Sequence, residues 1–137
     1  MIYTSYYGNV KKLREAGVLP ISISRYPAKF ANVTVELKML APTSDMLRME
    51  EEPYIVKFKS ILGRLDPDKI LKQINLLANG RDCALLCYER PDEFCHRHLV
   101  AEWLNSNTGT EIKEFGQSPT TPTATATPPT AKQEKLF

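Results

Sequence analysis

Short, nearly unbroken apolar runs alternate along this chain with longer stretches in which apolar residues recur every three or four positions. Ile2-Tyr3-Thr4-Ser5-Tyr6-Tyr7, Val18-Leu19-Pro20-Ile21-Ser22-Ile23-Ser24 and Cys83-Ala84-Leu85-Leu86-Cys87 are of the first kind and predict buried strands. The second kind is clearest after Asp66. That residue is a helix cap with Pro67 at the first position, Ile70, Leu71, Ile74, Leu77 and Ala78 form the stripe, and Gly80 is the stop. Asn9 is expected to cap a short helix that ends at Glu15, with Val10 and Leu13 inward and Gly17 behind it. In the middle, Thr34 to Lys38 reads as extended, and Pro42-Thr43-Ser44 starts a helix over Met46 and Leu47. Tyr54, Phe58, Ile61 and Leu62 then repeat at helical spacing. A last helix leads to an edge strand over Thr110 to Phe115. Strands alternating with helices predict an α/β fold in three layers: a mostly parallel sheet of about four strands with flanking helices.

In such sheets ligands bind beyond the carboxyl ends of the strands. Three ends are expected there: Ser5 to Tyr7, Ser24-Arg25, and Cys87 with Glu89. The last runs into the most informative stretch, CALLCYERPDEFCHRHLVAEWL over residues 83–104, where a helix restarts with Cys95-His96-Arg97 in its first turn. At about 100° per residue, Cys95, His96, Leu99, Val100, Trp103 and Leu104 share one broad face. His98 and Glu102 fall opposite, and Arg97 sits at the margin, able to fold over the helix N-terminus. His96 is therefore the candidate acid/base group, although an inward histidine at a helix start also serves as a core group bonded to a carbonyl. Cys95, near unpaired N–H groups and the positive helix end, is either a reactive thiol or part of an anion-binding rim. A buried, apolar cysteine is the structural alternative for each of the three thiols. Cys87, Glu89, Cys95 and His96 are thus the catalytic candidates, with Arg25 and Arg97 as anion binders.

Spacing excludes several chemistries. Six positions after Cys87 and Cys83 come Glu93 and Glu89, so the Cys-five residues-Arg phosphatase arrangement fails, and no glycine-rich phosphate loop is present. The zinc-deaminase pattern is absent. Cys87, Cys95 and His96 form a conceivable three-ligand open site, but the seven-residue gap lacks the short cysteine spacing of structural zinc motifs, so no metal is expected. The residues do not identify a cofactor.

Charge narrows the partners. The 137 residues carry 18 basic and 16 acidic side chains, and removing Lys132, Glu134 and Lys135 leaves 16 against 15. That balance is not the basic footprint of a dedicated nucleic-acid binder. A strand right after Met1 leaves no room for a signal peptide, and no apolar run approaches a membrane span, so a cytoplasmic protein without a membrane partner is expected. Three cysteines in that compartment are expected to be thiols rather than a disulfide framework.

Composition changes abruptly after residue 115. Residues 116–132 are rich in Pro, Thr and Ala and predict a disordered tether, reaching roughly 20 to 50 Å, behind a folded domain over residues 1–115. The chain then ends in Gln133-Glu134-Lys135-Leu136-Phe137, which resembles the bacterial sliding-clamp-binding motif: Leu136 and Phe137 fill a pocket and the Gln133 amide bonds at its rim. Glu134 departs from the Leu common at that position.

A second resemblance covers residues 1 to about 115. Ile2-Tyr3-Thr4-Ser5-Tyr6, Pro20-Ile21-Ser22-Ile23, Lys38-Met39-Leu40-Ala41-Pro42, Leu85-Leu86-Cys87-Tyr88-Glu89 and the run from Phe94 to Trp103 occur in order as in the bacterial and phage family called domain of unknown function 488. The resemblance implies a compact α/β domain with Cys87, Glu89, Cys95, His96 and Arg97 in its signature, and it implies no activity. Where many members resemble an Asp-Val-Arg-Arg-x-Pro segment, this chain has Ser22-Ile23-Ser24-Arg25-Tyr26-Pro27. The sequence thus suggests a protein of bacterial or phage DNA metabolism held on the sliding clamp by its tail. The alternative is a thiol- or histidine-dependent enzyme, or a non-enzymatic binder, acting on a nucleotide, nucleic acid or other phosphate-bearing molecule.

Overall fold

The computed structural model describes residues 1–88 and 94–116. Four strands form one sheet in which every pairing is parallel: β1 (Ile2–Tyr6), β2 (Leu19–Ser22), β3 (Cys83–Cys87) and β4 (Lys113–Glu114), in the order β2-β3-β1-β4. The helices are α1 (Val10–Glu15), α2 (Glu51–Gly63), α3 (Pro67–Ala78) and α4 (His96–Thr108). This is the expected α/β architecture.

The sheet separates two apolar layers, and strand alternation assigns residues to them. Cys83 and Leu85 join Ile2, Ile21, Phe58, Ile74, Val100 and Leu104 under α2, α3 and α4. Ala84 and Leu86 face the other way, onto Val10 and Leu13 of α1 and Ala28, Ala31 and Val33 of the loop after β2. With both faces covered, all five residues of β3 are buried, which is why the segment reads as a continuous apolar run. The same alternation turns Cys87 toward the α4 side.

Local chemistry explains the element ends. Asp66 accepts from the backbone N–H groups of Asp68 (3.0 Å) and Lys69 (3.4 Å) ahead of α3. At the other end the left-handed cap is Asn79 (φ 51°), one residue before the expected stop at Gly80. Leu77 is exposed rather than part of the stripe. Asn9 does not cap α1 with its side chain, because its Nδ2 donates to Ser5 Oγ at 3.2 Å. Between β2 and α2 the chain is less regular than expected. Thr34 to Lys38 contributes a single parallel bridge, Glu36 to Ser22, and Ser44–Arg48 is a 3-10 turn rather than an α-helix. After α4, Asn105 accepts from Ile112 N (2.8 Å) and donates to Ile112 O (3.1 Å), steering the chain back so that Lys113 and Glu114 pair with Tyr3 and Thr4. Of the expected strand over Thr110 to Phe115, only Lys113 and Glu114 are strand.

Candidate functional site

The carboxyl ends of β2 and β3 and the N-terminus of α4 surround a cavity of about 480 Å³. Beyond β2 the backbone stays in register with β3, Ile23 N donating to Leu86 O at 3.0 Å, and this carries Ser24 and Arg25 level with Cys87. Arg25, Cys87, Cys95 and His96 all line this cavity, with Tyr54 and Tyr88. Arg25 is half-buried, and its Nε donates to Pro42 O at 2.9 Å, fixing the guanidinium against the wall. Tyr26, Tyr88 and Phe94 are exposed at the mouth. Tyr88 reaches across it, its hydroxyl donating to Tyr26 O.

Cys95 is the extended N-cap residue of α4 (φ −152°) and not part of its first turn. From there its sulfur meets that of Cys87, and the two form a disulfide across a sequence separation of 8. This corrects the expectation of three thiols, since Cys83 alone is left unbridged. Cys83 is a structural thiol: burial pushes it up to about 11, and the nearby chain N-terminus only partly opposes the shift.

His96 is 5% exposed and stacks edge-on against Phe58 with ring centroids 5.3 Å apart. Its Nε2 lies 2.6 Å from Ile23 O and its Nδ1 lies 3.8 Å from Cys95 Sγ. Burial lowers its pKa to about 4, the bond to Ile23 acts against this, and Arg97 and His98 add to the lowering. The ring is neutral at pH 7. A carbonyl only accepts, so Nε2 carries the proton and Nδ1 keeps its lone pair toward Cys95.

Arg97 lies deeper than the helix wheel suggests. It is fully buried beneath the cavity and not among its lining residues. Its Nε and Nη2 fork onto Glu114 Oε1 and Oε2, each at 3.1 Å, while Nη1 donates to Cys87 Sγ at 3.0 Å. Thr4 Oγ1 also donates to Glu114, at 2.7 Å. Glu114 escaped the sequence reading because its role depends on an edge strand that meets α4 only in the fold. His98 is half-buried rather than solvent-facing, and its Nε2 is buried without a hydrogen-bond partner among the described residues. The third expected strand end, Ser5 to Tyr7, does not line the cavity; Tyr7 instead holds Ser22 and Ser24 together, its hydroxyl 2.5 Å from each Oγ.

The spacing of Cys87, Cys95 and His96 lacks the short cysteine pair of structural zinc motifs, yet their ligand-type atoms lie within 4.8 Å of one another. Glu89, Gln133, Leu136 and Phe137 lie outside the described residues, as do the tether and the clamp-motif pentapeptide. Among the described residues no helix is long and apolar enough to cross a membrane. A family model, DUF488-N3a, described as the active DUF488-N3 subclade, matches residues 2–108, which takes in β1 through α4. No curated protein and no solved structure matches the chain.

Proposed function

The chain belongs to the DUF488-N3a family, the active DUF488-N3 subclade, and from that premise we propose that it is an enzyme of the cytoplasm of a bacterium or phage-infected cell. It binds a nucleotide, or another small molecule bearing a phosphate group, in the cavity at the carboxyl ends of β2 and β3 and acts on it through a thiolate. The observation that carries this reading is the presence of Arg25, Cys87, Cys95 and His96 on one cavity. Arg25 supplies a fixed guanidinium for the phosphate. The exposed rings of Tyr26, Tyr88 and Phe94 offer a stacking surface of the kind that contributes about 1–3 kcal/mol per base. Reduction of the Cys87–Cys95 disulfide arms the site, and Cys87 is then the nucleophile, because the Arg97 N–H on its sulfur stabilises the thiolate. His96, with so low a pKa, is a poor general base and instead accepts the Cys95 thiol proton in a hydrogen bond at Nδ1.

Timed iodoacetamide labelling of the reduced, chelated full chain near neutral pH, read by peptide mass spectrometry, tests the thiol assignment. Cys87 is expected to alkylate first and Cys83 last, with a bound nucleotide slowing Cys87. Equal, slow labelling at Cys87 and Cys95 would overturn it.

A second reading concerns the tail and rests on the sequence Gln133-Glu134-Lys135-Leu136-Phe137, which supports a role in DNA metabolism through the bacterial sliding clamp. Binding of the full chain to that clamp is expected to weaken by about 2 kcal/mol or more on Leu136→Ala or Phe137→Ala. Equal affinity of wild type and both variants contradicts it.

A further inference from the structure

Three ligand-type atoms from two elements meet on one side of the cavity: Cys87 Sγ at the end of β3, Cys95 Sγ at the N-cap of α4, and a ring nitrogen of His96. All three residues are buried, and all three line the cavity. The imidazole is already arranged as a metal ligand. Its Nε2–H is committed to the Ile23 carbonyl, which leaves the Nδ1 lone pair on the cysteine side. Donation of the second ring N–H to a backbone carbonyl is the usual outer-shell support of a metal-bound histidine. The backbone spacing points the same way. The Cα atoms of Cys87 and Cys95 are 7.2 Å apart, beyond the usual disulfide span of about 4.4–6.8 Å. Two thiolates on one tetrahedral zinc, each bonded at about 2.3 Å, sit about 3.8 Å from each other and accommodate a wider backbone separation.

We propose that the reduced form of this protein binds a zinc-type divalent cation through Cys87 Sγ, Cys95 Sγ and His96 Nδ1, with the fourth coordination position open to the cavity. A dithiol reductant passes two electrons and two protons to the Cys87–Cys95 disulfide and itself closes to a disulfide. The cation then displaces the two thiol protons. Two thiolates balance the cation's charge, and the Arg97 N–H on Cys87 Sγ is an outer-shell donor whose own charge is matched by Glu114. Three protein ligands with one open position is the pattern of catalytic rather than structural zinc. With the cation bound, neither the Cys87 thiolate nor His96 Nδ1 is free for the thiol chemistry proposed above, so the metal-bound and metal-free reduced forms are alternative states of one site. The site does not rest on nucleotide binding, because no group of the ligand completes the protein's share of it.

Cobalt is the probe. The full chain, reduced with a water-soluble phosphine, stripped with chelator and desalted without air, is titrated with Co²⁺. One equivalent is expected to give the visible bands of tetrahedral cobalt and a near-ultraviolet thiolate-to-cobalt band. The spectrum should survive Cys83→Ser, vanish on Cys87→Ser or Cys95→Ser, and require on the order of tenfold more cobalt on His96→Asn. Because the variants can fail for lack of folding, two wild-type measurements stand beside them. Zn²⁺ should raise the melting temperature of the reduced protein and should shield two of its three cysteines from iodoacetamide. Purely octahedral cobalt, a spectrum lost on Cys83→Ser, or labelling and melting unchanged by Zn²⁺ would each overturn the proposal. None of these readouts involves a nucleotide, so failure here leaves the Arg25 assignment intact, and the reverse holds as well.

Discussion

His96 carries the largest consequence of burial at the scale of single residues. In the fold it stays neutral down to about pH 4, whereas in the unfolded chain it protonates near its ordinary value of 6.5. Between those values the unfolded state binds the extra proton, so stability falls as pH falls from about 6.5 to about 4, by up to roughly 3 kcal/mol. Urea denaturation of the disulfide form, in chelator, at pH values on either side of that interval should show this slope. His96→Asn should make it shallower, leaving a contribution of the same sign from His98, whose pKa burial also lowers, and an unchanged slope in the variant would contradict the assignment. Arg97 makes a different prediction. Its guanidinium forks onto Glu114, whose side chain is 5% exposed, and among the described residues it makes the ion pair of that carboxylate. Arg97→Leu is expected to cost about 3–5 kcal/mol, and adding Glu114→Gln should recover part of the loss, as measured by chemical denaturation. The inward phase of His96 was legible from the wheel because 3.6-residue periodicity alone sets it. The burial of Arg97 was not, because its acidic partner stands 17 residues on, across a turn fixed in part by the bonds of Asn105 to Ile112.

Elements whose ends are set by local chemistry were the legible ones. α3 follows from Asp66, Pro67 and an apolar stripe, and its cap bonds are those its sequence predicts. Asp66→Ala should therefore destabilise the protein by about 1 kcal/mol in a denaturant titration, with no change at the cavity. An effect under a few tenths of a kcal/mol would mean that the cap carries no weight. β3 was equally clear because burial on both faces leaves no polar position to mislead. The stretch between β2 and α2 was not. Its turns are held by tertiary contacts, such as the bridge of Glu36 to Ser22 and the bond of Arg25 to Pro42 O, and neither leaves a periodicity to read. Cys95 shows the same limit at finer grain, since one residue's difference at the start of α4 turns a first-turn thiol into an N-cap whose side chain meets β3.

For the whole molecule, alternating strands and helices are enough to predict a parallel sheet, and Arg25, Cys87, Cys95 and His96 share a cavity at its carboxyl edge. The disulfide was hidden because sulfur pairing depends on a backbone approach that spacing in sequence does not encode. Two independent demands meet in this cavity: an arginine and aromatic rings suited to a phosphate-bearing ligand, and a sulfur and imidazole cluster suited to a thiolate or a cation. The first is the central claim, and calorimetric titration tests it most directly. The reduced full chain, in chelator, is titrated with nucleoside mono-, di- and triphosphates, the parent nucleosides and inorganic phosphate, alongside Arg25→Ala. At least one phosphorylated nucleoside should bind the wild type, its nucleoside should bind more weakly, and Arg25→Ala should lose about tenfold or more in affinity. No binding by any phosphorylated member of the panel, or equal affinity of wild type and Arg25→Ala, would contradict the account.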